Sequence, residues 1–190
     1  GSTRLMNARF AEIVRQPDAP FLGASAGDDT LGRTVASFEV SARVRDGEMA
    51  RGVTALATEL SRVRQYGFGE AELDRARRNQ LAGFERAYNE RDKSQSDPLA
   101  SELVRHYLEG EAAPGIAFEV QLARRFLSTI TTAETAAIVR EFVTDANRVV
   151  IATAPEKPGL TATTEQALRT ALTAGAAAPT CSKFCKLRAS

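Results

Sequence analysis

With 190 residues, 43% of them hydrophobic and 26% charged, the chain is long enough to bury a core and has the composition of an ordinary globular protein. Its 25 Lys and Arg against 24 Asp and Glu leave a net charge of +1, which removes any global electrostatic reason to expect nucleic acid or an acidic membrane as partner. No apolar run approaches the roughly 20 residues that span a bilayer.

The opening "GSTRLMNARF" lacks a charged region followed by an apolar core, so it does not read as a signal peptide. Gly1-Ser2 resembles the scar of a removed purification tag. Residues 1–3 are therefore set apart, the natural chain is expected to begin upstream, and the compartment stays open. Leu5, Phe10, Ile13 and Val14 then fall at helical spacing before Pro17. Beyond a turn at Pro17 and Pro20, Ala36, Phe38, Val40, Ala42 and Val44 alternate with polar neighbours, the pattern of a strand with one buried face. The preceding "FLGASAGDDTLG" supplies an antiparallel partner, with Gly27, Asp28, Asp29 and Gly32 in the connection.

From Glu48 the period changes. Met49, Val53, Leu56, Leu60 and Val63 draw an apolar stripe along a helix of about five turns. Gly67 and Gly69 interrupt it, and a second helix opens with Glu70 and Glu72 near the positive end of its dipole. Leu73, Ala76, Leu81, Phe84 and Tyr88 form its apolar side, and Asp74 is spaced to pair with Arg78. "SDPLASELVRHYLEG" predicts a further helix capped by Asp97, with Pro98 at its first position and Gly110 at its end. Helices follow through Phe118, Leu122 and Phe126, and from the capping box at Thr131 to Glu134 through Ile138 and Phe142. "RVVIATAP" reads as a short buried strand ending at Pro155, and "TTEQALRTALTAG" as a last helix stopped by Gly175. Strands grouped early, with one returning late, predict an α+β fold of helices on a small antiparallel sheet, forming a single domain over residues 4–175.

Candidate chemistry is sparse. No phosphate-cradling glycine loop and no G-x-S-x-G elbow is present. The sole histidine, His106, sits beside the apolar side of a short helix and reads as a packing or surface residue. The carboxylate pairs Asp28/Asp29, Glu70/Glu72 and Glu109/Glu111 read as solvated charge. Arg75, Arg77, Arg78, Arg124 and Arg125 could form a basic patch, but acidic residues interleave with them. Cys181 and Cys185 lack the two further ligands of a metal site, so residues 176–190 read as a flexible or vector-derived tail, with a local disulfide as the alternative. No catalytic, cofactor-binding or metal-binding residue is assigned to this chain.

One stretch says more in order than in parts. Glu59-Leu60-Ser61-Arg62, then Gly67-Phe68-Gly69 leading to Glu72-Leu73 and Ala76-Arg77, a long helix, a short helix ending near a glycine, Ile130-Thr131 at a helix start and a closing "RVVIATAP" follow one another. Over roughly residues 4–155 this order resembles a non-catalytic domain of the pitrilysin and insulysin family of zinc peptidases. Gly69 departs from that pattern, where Ser or Thr is commoner. The family's inverted H-x-x-E-H zinc site cannot be supplied by a chain with one histidine.

The resemblance implies a fragment of a zinc metalloendopeptidase: a chamber-wall domain, itself inactive, beside a catalytic zinc domain of the same parent or of a partner subunit, with peptides as substrates. The alternative under the same resemblance is a catalytically degenerate relative acting as an assembly or peptide-binding subunit. An unrelated helical interaction module would instead lack a sheet from residues 20–45 and 148–154. Bacterial relatives are often exported, so the resemblance points to the periplasm. An apolar face exposed outside its lobe predicts self-association.

Overall fold

The computed structural model describes residues 2–31, 35–93, 95–179 and 181. Its elements are α1 (Ser2–Val14), β1 (Gly23–Leu31), β2 (Val35–Arg43), α2 (Met49–Tyr66), α3 (Glu70–Asn89), α4 (Ser96–Glu109), α5 (Ile116–Phe126), α6 (Thr132–Phe142) and α7 (Glu165–Ala177), with 3₁₀ turns at Arg91–Lys93 and Leu127–Thr129. The fold is α+β. Contacts group the chain into two compact units: Ala71–Thr131, and the elements on either side of it.

In the larger unit, β1 and β2 pair antiparallel, from Gly23 opposite Arg43 to Leu31 opposite Val35. The strand predicted at residues 36–44 is therefore present, and Phe38, Val40 and Ala42 are half-buried while Glu39, Ser41 and Arg43 are exposed. The connection is shorter than its sequence suggests. Gly27, Asp28 and Asp29 lie within β1, whereas Gly32 falls outside the described residues. An exposed face accommodates the polar residues there: Ser25 and Ser41 bond across the pair at 2.9 Å, and Thr3 donates to Asp28 at 3.3 Å.

α1 lies against β1, and Asn7 fixes the contact by bonding both backbone groups of Ala26, at 2.9 Å to its carbonyl and 2.7 Å from its amide. Leu5, Met6, Phe10, Phe21 and Val63 are buried, and Phe10 meets Phe21 edge-on with centroids 6.0 Å apart. At roughly 25 cal/mol per Å² of apolar surface, these large side chains make this the cohesive centre of the unit.

α7 packs along α2 through small residues, with Ala57, Ala171 and Gly175 buried. Gly175 does not end the helix. α7 continues to Ala177, and a Cβ at Gly175 would collide with the backbone of Thr54 and with Ala57, so the glycine serves close approach. Thr54 and Ser61 bond the α7 carbonyls of Ala171 and Ala176, and Thr164 caps the helix by accepting from the Ala167 amide at 3.2 Å. Gly67 does end α2, at φ +67°.

The strand predicted at "RVVIATAP" is not formed. Residues 149–155 carry no ladder and are exposed: the described sheet contains only β1 and β2, and strand propensity alone does not pair the segment with either.

In the smaller unit, Leu73 of α3 and Val120 and Ala123 of α5 are buried, while α4 buries no residue. Asp74 pairs with Arg77, one residue nearer than the predicted Arg78, and Arg77 also donates to the Ile130 carbonyl. The cap of α4 lies two residues ahead of the predicted one: Gln95 is the N-cap, and Asp97 and Pro98 lie in the first turn, where an acidic side chain and a residue without an amide proton are both tolerated. Gly110 ends α4 in the left-handed region, its amide bonding the His106 carbonyl.

Candidate functional site

The most highly organised polar group in the molecule centres on Arg9, which the sequence does not single out. Its place on α1, one residue before Phe10, puts its side chain in the interior, where it is 3% exposed. There its guanidinium meets Glu59 of α2 at 3.0 Å, donates to the Gly67 carbonyl at 3.0 Å, and lies over the Phe68 ring at 4.9 Å. Glu59, equally buried, also pairs with Arg62 one turn on. A buried charge is tolerated only when paired and hydrogen-bonded, and both conditions hold.

This arrangement explains the motif physically. Glu59, Gly67 and Phe68, read in the sequence as a pattern of order and spacing, converge on one arginine from another helix, and Arg62 of the same pattern holds the Glu59 carboxylate. They bind α1 to the end of α2 and to the break that follows it. Nothing in the group is placed for proton transfer: the carboxylate is held between two arginines and the guanidinium is fully engaged. Its role is to hold structure.

A second feature is a cleft of about 1040 Å³ in the larger unit, lined by residues 38–46, the α2 side chains Met49, Val53, Leu56 and Leu60, and residues 142–155. Phe142 stands near Phe38, with ring centroids 6.3 Å apart. The predicted α2 stripe thus faces an open space. Of its five members only Val63 is buried and the others are half-buried, because the side of α2 packed on α7 is instead the small-residue seam.

The residues singled out in the sequence are dispersed. His106 is exposed on α4, its Nδ1 at 2.6 Å from the Glu111 carbonyl, while Arg105 pairs with Glu111 at 2.7 Å. The hydrogen bond that Arg105 donates to the Glu111 carboxylate, and the charge of that carboxylate, hold its guanidinium above its ordinary pKa. Glu72 is buried, while Glu70, Asp28, Glu109 and Glu111 are exposed. Arg124 pairs with Glu85 at 3.0 Å and Arg125 lies over Phe126, so acidic and aromatic neighbours break up the arginine patch. Among the described residues no three His, Cys, Asp or Glu side chains gather as metal ligands, and Cys185 lies outside them.

No family model matches the chain. Over 129 residues, 68% of its length, it is 30% identical to the zinc protease PQQL-like of Arabidopsis thaliana, of which it spans 11%. It superposes on the first half of the periplasmic protease PqqL from Escherichia coli with a TM-score of 0.76, at 18% identity, covering 95% of this chain and 39% of that one. Against the longer PqqL structure the same likeness covers 20% of the solved chain. An insulinase family protease from Yersinia pestis gives a TM-score of 0.68 at 16% identity, over 93% of this chain and 38% of that one. The order of motifs, a relative in sequence and the shared fold agree, and the chain is a pitrilysin/insulysin-like segment.

Proposed function

We propose that this segment is a non-catalytic wall domain of a zinc metalloendopeptidase, bracing a catalytic zinc domain that lies outside residues 1–190. The supporting observation is a mismatch between kinship and chemistry. The chain is kin to a zinc protease, yet its single histidine is exposed on α4 with its ring nitrogen against a backbone carbonyl. An inverted H-x-x-E-H site takes two histidines and a glutamate from one helix face, with a further carboxylate to complete the ligands. What the segment contributes is rigidity: the Arg9 knot and the α2–α7 seam. Zinc, when bound by the parent's catalytic domain, would polarise the peptide carbonyl and activate water.

The test compares the 190-residue chain with the full-length parent. The parent should bind about one equivalent of zinc after dialysis and cleave unstructured peptides, and the 190-residue chain should do neither. Stoichiometric zinc on the short chain, abolished by His106→Ala, would overturn the proposal. So would a full-length parent that binds no zinc and cleaves nothing, which would make it an assembly or peptide-binding subunit.

A further inference from the structure

Three unsatisfied features of the larger unit meet in the open cleft. The first is the floor: Met49, Val53, Leu56 and Leu60 repeat at helical spacing along α2 yet remain half-buried. The second is an edge. Asn7 takes both backbone groups of Ala26, so Ala26 and its partner Val40 form a non-hydrogen-bonded pair. By the alternation of an antiparallel ladder, the amides and carbonyls of Phe38, Val40 and Ala42 therefore point away from β1. The third is the segment Arg148 to Pro155. Its sequence is β-prone, and Val149 and Ile151 are 82% and 84% exposed.

That segment is held at both ends. Asp145 pairs with Arg64 near the end of α2 at 3.2 Å, and Lys157 pairs with Asp46 in the turn before α2 at 2.7 Å. It consequently runs the length of α2 in the same direction as β2. A strand edge, an apolar floor and a tethered strand-like segment thus share one elongated space.

We infer that this cleft receives an extended strand, supplied by polypeptide of a longer parent outside this chain. The strand pairs with the open edge of β2 and lays alternate apolar side chains on Val53, Leu56 and Leu60. A row of outward amides and carbonyls calls for a matching row of acceptors and donors, which an extended backbone provides and a small molecule does not. The volume, about 1040 Å³, is at the upper limit of ligand pockets, roughly 300–1,000 Å³. The source follows from length. A chain that spans 11% of its sequence relative leaves ample polypeptide to supply a strand, and a two-stranded ribbon alone is marginal in water. The inference is independent of peptidase activity and applies equally to a degenerate parent.

Amide hydrogen exchange of the 190-residue chain and of the full-length parent, both at micromolar concentration, tests it. Peptides covering residues 38–42 and 149–151 should exchange about 100-fold more slowly in the parent, while the Asn7-clamped stretch around Ala26 changes little. Equal rates in the two proteins would overturn the inference, because β2 would then have no partner supplied from outside. Strong protection of 149–151 in the short chain alone would also overturn it, because the segment would then pair with β2 directly. Protection in the short chain that grows with its concentration would place a second copy in the cleft and reject the parent as source.

Discussion

Arg9 shows how one residue decides whether a helix is docked or merely adjacent. Taking an arginine and a glutamate out of water costs several kcal/mol each, and their attraction repays this only with good geometry and further hydrogen bonds. Glu59, Gly67 and Phe68 supply those. Arg9→Met should therefore destabilise the chain by about 3–5 kcal/mol in urea unfolding, because Glu59 is left buried with only the less buried Arg62 as partner. The double variant Arg9→Met/Glu59→Leu should recover much of that loss, since it removes the orphaned charge. A single-variant cost below about 1 kcal/mol would mean that the pair is not buried in solution. Gly175 gives a second residue-scale test, in which two effects compete. Ala in a helix interior is favoured over Gly by up to about 1 kcal/mol, but overpacking a tight contact costs about 1–3 kcal/mol. Here the added carbon would meet backbone, which cannot swing aside, so Gly175→Ala should lower the melting temperature. A rise would show that α7 does not approach α2 this closely.

At the scale of elements, legibility followed the kind of signal each segment carries. α1, α2, α5 and α6 were readable because apolar spacing is local information, and the turn at Gly67 because a positive φ selects glycine. β2 was readable from its alternation. The hairpin connection was misplaced because Gly27, Asp28 and Asp29 are turn-forming types, whereas pairing with residues 37–39 depends on the partner strand. "RVVIATAP" failed for the complementary reason: strand propensity is present, but whether a segment closes onto an edge depends on what else occupies the space between them, which no single segment encodes. The Arg9 knot was half visible. Its acceptor side lay in the quoted motif, while Arg9 itself sits 50 residues from Glu59, and a lone arginine on an amphipathic helix carries no mark of burial.

At the scale of the whole molecule, surface composition and net charge together bear on association. A net charge of +1 provides little repulsion between copies near neutral pH. α4 meanwhile exposes Leu99, Leu103, Val104, Tyr107 and Leu108, the tyrosine 86% exposed. Laid antiparallel on a second copy about a two-fold axis between Leu103 and Val104, the helix sets Leu99 opposite Leu108 and Ala100 opposite Tyr107, so the sequence is complementary to itself. A single pair of 14-residue helices buries less than the roughly 1,600 Å² of a stable interface, which predicts a weak dimer with Kd on the order of 10⁻⁴ M. Light scattering should therefore report the 20.5 kDa monomer at micromolar concentration and a rising mean mass toward millimolar. Leu103→Glu/Tyr107→Glu should hold the chain monomeric throughout without lowering its stability, because α4 buries none of its residues. An unaltered chain that stays monomeric at millimolar concentration would refute the pairing. Association that survives the double variant would transfer it to another surface.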